Sequence, residues 1–274
     1  AYSLTENAPS PFHAEPAHME LTDYRGAGLH WHSEDVGTVW CSPGSPVVFG
    51  VNGLGLVTVY AKDVALLPDW QQRLWAGFNV SPEGGVGEEL YEIQAKGDHV
   101  ETSAPESLFR RGIKLLNTQA QEKLGFRLFR EHDEFEAIIA RTHRFRSTER
   151  GGFFALAKDV ARLTADSIDV SGLHKIAPPP ADKKQGSLKS LEAVLALKVG
   201  ADEARRLVGP LFGVLELRHA DAHLPSKELG DAFGLVGVNP DHTFVIQGKR
   251  LLQACSTALF EIREALEGWS SQGS

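Results

Sequence analysis

Glu216-Leu217-Arg218-His219-Ala220-Asp221-Ala222-His223 closes a run of apolar residues, Leu207, Leu211, Val214, Leu215 and Leu217, that starts near Ala201-Asp202-Glu203. Recurrence at helical spacing puts these side chains on one stripe of an α-helix, and acidic residues in its first turn suit the positive end of the helix dipole. Pro210 predicts a kink in that helix, because proline brings no amide hydrogen to the ladder and its ring crowds the preceding turn. The helix ends in a fixed cation, two imidazoles and a carboxylate, an inventory suited to phosphate chemistry. A guanidinium can hold a phosphate through its planar fork, and histidine can take or give a proton near neutral pH.

Helical periodicity extends on both sides of this stretch. Leu108, Ile113, Leu115 and Leu116 mark one helix after Ser103 to Glu106; Phe135, Ile138 and Ile139 a second; Phe154, Leu156, Val160 and Leu163 a third. Ile176 to Gln185, with Pro178 to Pro180 and Asp182-Lys183-Lys184, reads as an exposed loop. Ser187 is expected to cap Leu188 to Val199, and Gln247 to Glu267 forms a last helix with Leu251, Leu252, Cys255, Leu259, Ile262 and Leu266 on its apolar face. Residues 109 to 268 are therefore expected to be mostly helical.

Toward the N-terminus the period changes. Leu29 to His32, Thr38 to Cys41, Pro46 to Val51 and Gly55 to Ala61 are short apolar or alternating runs separated by Gly37, Ser42-Pro43-Gly44 and Asn52-Gly53, the last a hairpin signal. Short helices follow at Asp69 to Phe78 and Glu88 to Ala95, separated by the turn at Gly84-Gly85. The expected fold is α+β: a small β-rich N-terminal region, residues 1–104, followed by an all-helical bundle, residues 105–274.

Composition bounds the function. At 274 residues with 42% hydrophobic content the chain can bury a real core. A formal charge of -8 argues against indiscriminate binding to duplex nucleic acid, so any contact with RNA has to be local. Cys41 and Cys255 form no CxxC pair, which suggests neither a disulfide framework nor a cysteine zinc site. The polar start Ala1-Tyr2-Ser3-Leu4-Thr5-Glu6-Asn7 lacks the apolar core of a secretory leader, and no run reaches the length that spans a bilayer. A cytoplasmic protein with no membrane partner is expected.

Ser187 to Glu267 resembles the HEPN superfamily, on the strength of Arg218-His219-Ala220-Asp221-Ala222-His223. The segment matches that family's arginine, four to six residues, histidine pattern, and His219 stands where the family usually has a polar residue directly after the arginine. The motif closes a long apolar helix, stops at Leu224-Pro225, and precedes a last amphipathic helix. The same spacing recurs at Arg25-Gly26-Ala27-Gly28-Leu29-His30 in a glycine-rich segment, so helical context carries the likeness. The resemblance implies a metal-independent endoribonuclease that needs no cofactor, works as a homodimer, and serves as a toxin or phage-defence effector. It implies that His223 is the general base or acid and that Arg218 holds the phosphate as charge develops. His219 would orient the scissile group or share proton transfer, and Asp221 would fix an imidazole tautomer. The products would be a 2′,3′-cyclic phosphate and a 5′-hydroxyl. The segment near Gly55 to Asp63 and Trp70 to Trp75 resembles bacterial proteins without pointing to an activity.

Other residues compete for attention. Arg141-Thr142-His143-Arg144-Phe145-Arg146 is the dense basic cluster; Arg141, Arg144 and Arg146 could track an RNA backbone while Phe145 stacks a base. A solvated helix end is the plainer reading of that run. The same plainness applies to the motif, since cations near a helix C-terminus are favoured by the dipole, and a non-catalytic bundle that dimerises or docks a protein partner, with a ligand-sensing N-terminal region, is the alternative function. His219 and His223, four residues apart, share a helix face and could ligate zinc, although no glutamate lies between them as a base. His30-Trp31-His32 puts two imidazoles on one strand face. The glycines at Gly50 to Gly55 and Gly84 to Gly87 lack a Walker lysine and hydroxyl and read as turns. Purified protein is expected to contain no stoichiometric zinc by elemental analysis; about one zinc per chain, lost on replacing His219 or His223, would put the metal reading first.

Overall fold

The computed structural model describes residues 11–14, 28–40, 44–131, 133–180, 184–223 and 226–269, the side chains of 11–13, 220–223, 226 and 227 excepted. Parts of three expected loops, Cys41-Ser42-Pro43, Ala181-Asp182-Lys183 and Leu224-Pro225, lie outside these residues. The chain is α+β and divides into two compact units, Ala1–Ala104 and Pro105–Ser274.

The first unit holds an antiparallel five-stranded sheet of β1 (Pro11–Ala14), β2 (Leu29–Trp31), β3 (Val36–Trp40), β4 (Pro46–Val51) and β5 (Val57–Tyr60), in the order β1-β5-β4-β3-β2. The last four form a meander, with Val36 opposite Gly50 and Phe49 opposite Val59. β1, which the sequence reading omits, pairs with the far edge of β5. Asn52 does make the β4–β5 turn, by accepting from the amides of Leu54 and Leu56, both at 3.0 Å, while the left-handed backbone falls on Gly55 at φ 83°. Helices α1 (Ala61–Ala65), α2 (Asp69–Gly77) and α3 (Glu88–Tyr91) follow, α3 running on into a π-helical turn, Glu92–Lys96. Leu90 of α3 lies against the sheet where Gly50 has no side chain; a Cβ there would sit 2.7 Å from Leu90 Cβ. Val36, Tyr60 and Leu90 form that small core.

The second unit is a helical bundle: α4 (Pro105–Leu124), α5 (Phe135–Arg141), a 3₁₀ turn (Arg144–Arg146), α6 (Arg150–Leu163), α7 (Val170–Ile176), α8 (Ser187–Val199), α9 (Ala201–His223), α10 (Ser226–Leu235) and α11 (Phe244–Glu267). α11 packs along α4, and α9 lies among α6, α8, α10 and α11. The apolar stripe of α9 turns inward as its spacing requires, burying Ala204, Leu207, Val208, Leu211, Val214 and Leu217 in one core with Leu251, Leu252, Leu259 and Ile262 of α11. The helix runs through Pro210 to His223. Ser187 is not the cap of α8: it is the first helical residue, Gly186 takes the cap position, and no side chain caps it. Asp169 caps α7 instead, accepting from the amides of Ser171 and Gly172 at 3.1 and 3.2 Å.

Two buried contacts fix the 3₁₀ turn. The Arg144 side chain, fully buried, donates Nε to Glu106 Oε1 at 2.8 Å and Nη2 to Oε2 at 3.0 Å, and its backbone amide reaches Oε1 at 3.1 Å. Burial pushes the Glu106 carboxyl up, but the charge and hydrogen bonds of Arg144 outweigh it and hold the group below the usual carboxylate range. Gly152 of α6 lets the turn sit close: a Cβ there would lie 2.2 Å from the Arg146 carbonyl oxygen, which is backbone and cannot swing away.

Glu106→Gln leaves the Arg144 cation buried without its countercharge and is expected to cost about 3–5 kcal/mol in urea unfolding at neutral pH. A depressed folded pKa contributes stability above the unfolded carboxylate value and loses it as pH falls through the folded one, so the wild-type advantage should close only in strong acid. Gly152→Ala is expected to lower stability by about 1–3 kcal/mol in the same assay, the usual range for overpacking.

Candidate functional site

The last turns of α9 carry the motif. Leu217 is buried in the core, so the next two positions rotate outward: Arg218 is half-buried and His219 exposed. Asp221 and His223 belong to the same helix, but their side chains lie outside the described residues. With about 100° of turn per residue, positions 218 and 223 stand about 140° apart around the axis, whereas 219 and 223 are only about 40° apart. One helix therefore does not aim Arg218 and His223 at a single phosphorus atom; a second helix end, supplied by a two-fold partner, would let the arginine of one motif meet the histidine of another.

Arg218 has a carboxylate partner that the sequence reading does not name. Its Nη1 donates to both oxygens of Asp166, in the connection between α6 and α7. The arginine side chain keeps 30% of its exposure and the aspartate 39%, so the pair is open to solvent. The main chain around Asp166 is well held: its amide donates to the Ala161 carbonyl at 3.0 Å, and Arg130 Nη2 donates to its carbonyl at 2.9 Å. Asp166 also borders a cleft of about 550 Å³ lined by Arg130, Glu131, Asp133, Glu134, Arg162 and Ser167. Carboxylates outnumber guanidiniums there, and Arg162 is itself paired with Glu134 at 3.0 Å.

The expected RNA surface at Arg141, Arg144, Phe145 and Arg146 is corrected at two of its positions, Arg144 and Phe145. Arg144 and Phe145 have no exposure, so neither reaches a backbone or stacks a base. Arg141 grips Asp159 of α6 through Nε and Nη2, both at 2.8 Å, and Asp159 is itself buried. Arg146 is half-buried. Arg144 and Arg141 hold the helices together because Glu106 and Asp159, which neutralise them, stand 38 and 18 residues away in the chain and arrive only on folding.

Elsewhere, His30 of β2 and His32, just past the end of that strand, have ring centroids 5.1 Å apart, and His32 Nε2 meets Thr38 Oγ1 at 2.6 Å. Among the described residues no three histidine, cysteine or carboxylate side chains are arranged to hold a metal ion. Cys255 is buried, and burial raises its thiol pKa, which leaves it protonated and inert. No helix among the described residues is long and apolar enough to cross a membrane. Compared with known proteins, the chain matches no family model, no curated protein and no solved structure.

Proposed function

We propose that the helical unit is a HEPN-like bundle that cleaves RNA without a metal, using Arg218 and His223 from two copies of α9. The supporting observation is the placement of Arg218: it sits at the solvent-facing end of the helix that organises the core, on a carboxylate that occupies it as a phosphate oxygen pair would. In this reading His223 removes the proton from a ribose 2′-hydroxyl and the freed oxygen attacks the adjacent phosphorus. The 5′-oxygen then leaves with a proton supplied by an acid, and a 2′,3′-cyclic phosphate remains. Arg218 stabilises the charge that grows on the non-bridging oxygens. His219, exposed beside it, orients the phosphate, and Asp221 steadies an imidazole. A two-fold dimer is part of the proposal, because positions 218 and 223 diverge on one helix.

A second reading has its own support. The burial of Arg144 and Phe145, and the excess of carboxylates beside Arg218, favour a helical module that docks a protein partner, with the sheet-bearing unit as the ligand sensor. His223→Ala is expected to reduce cleavage of single-stranded RNA by about 10²- to 10⁴-fold, the usual contribution of a proton carrier, with the unfolding midpoint unchanged. Arg218→Ala should be comparably damaging, and the wild-type ends should be cyclic phosphates. Equal rates for wild type and His223→Ala at matched purity would replace the nuclease with the docking module.

A further inference from the structure

Two guanidiniums of the bundle each meet a buried carboxylate with two nitrogens. Arg141 presents Nε and Nη2 to Asp159, and Arg144 presents Nε and Nη2 to Glu106. Arg218 differs. Its described contacts with Asp166 run through Nη1 alone, which bridges the two oxygens end-on. The two anchoring acids are buried, whereas Asp166 keeps 39% of its side-chain exposure. A single-nitrogen contact in solvent is the weak form of this interaction, worth little against water and salt.

We propose that Asp166 is a built-in competitor for the phosphate site at Arg218: its carboxylate occupies the guanidinium until a phosphate displaces it. The catalytic consequence rests on the nuclease reading above; the binding consequence stands on the ion pair alone. The geometry separates what is fixed from what moves. The Asp166 backbone is held by the Ala161 carbonyl and by Arg130, and Ser167 N donates to the Thr164 carbonyl at 3.0 Å, so release needs only rotation of one exposed side chain. When phosphate arrives, the guanidinium exchanges one anion for another without moving its helix. The displaced carboxylate turns toward the cleft beside it, where Arg130 and Arg162 are the cationic residues. Glu131, Asp133 and Glu134 line the same cleft, so Asp166 adds to a negative field that a phosphate must overcome, and removing its charge helps binding twice over.

Asp166→Asn keeps the shape and removes the charge. Titration of the full chain with inorganic phosphate, followed by calorimetry at low and at high salt, is expected to show binding tightened by about two- to fivefold at low salt, the range set by an exposed ion pair, and a smaller gain at high salt. The gain should disappear in an Arg218→Ala background, and on single-stranded RNA the variant should lower KM by a similar factor. Phosphate binding unchanged or weakened by Asp166→Asn, binding undetectable in both forms, or the same gain without Arg218, would each overturn the proposal. A fall in kcat with KM unchanged would also overturn it, by making Asp166 a positioning residue. If no form cleaves RNA, the nuclease reading fails and the phosphate titration still decides this one.

Discussion

A carboxylate and a guanidinium, Glu106 and Arg144, meet inside the helical unit with almost no exposure, and the path of the chain from α4 to α6 depends on that meeting. Taking two charges out of water costs several kcal/mol each, and only good geometry returns it. Here the return comes from a two-nitrogen fork and from a backbone amide of the turn on the same oxygen. Glu106 also lies in the first turn of α4, where the helix dipole favours an anion. An apolar pair of similar volume could fill the space, but it would not specify that Arg144, rather than a neighbour, points inward. The turn is then locked by Gly152 beneath it and by Ser147 Oγ, which donates to the Phe244 carbonyl at 2.7 Å and so ties the start of α11 to the same point.

The same pair of chemical groups does different work at Arg218, and exposure decides which. A buried fork resists removal because breaking it strands a charge in a medium that cannot solvate it; an exposed contact through one nitrogen leaves both partners with water as a substitute. One arrangement suits a scaffold and the other suits exchange. This contrast separates Arg141 and Arg144 from Arg218, although both segments bring arginine and histidine together at a helix end.

The sequence made the helical period of α9 and α11 legible because their core contacts are local repeats of a single stripe, and the β3–β5 meander legible because Asn52-Gly53 sits between two apolar runs. β1 is not legible in the sequence because four residues, Pro11–Ala14, gain strand character only by adding to an edge of β5 that lies far along the chain. α1 at Ala61–Ala65 was hidden behind the apolar run of β5, whose strand ends at Tyr60. The basic run reads as a surface for a physical reason: charge density is visible in sequence, while the carboxylates that neutralise Arg141 and Arg144 are not adjacent to them. Asp166 was illegible in the same way, lying 52 residues before its arginine in a turn with no motif of its own.

The pairing of α4 with α11 sets an order of events in the making of this protein. Ser256 on α11 donates its hydroxyl to the carbonyl of Pro105 at 3.0 Å, a contact that spans 151 residues. During synthesis α4 emerges early and must wait, with Phe109, Ile113 and Leu116 unburied, until α11 has cleared the ribosome. Bundles are ordinarily fast folders because their contacts are local, but this one closes with its longest loop last, and the waiting stretch exposes apolar surface of the kind that chaperones bind. For this unit the pace of translation through residues 105–267 is therefore part of the folding problem.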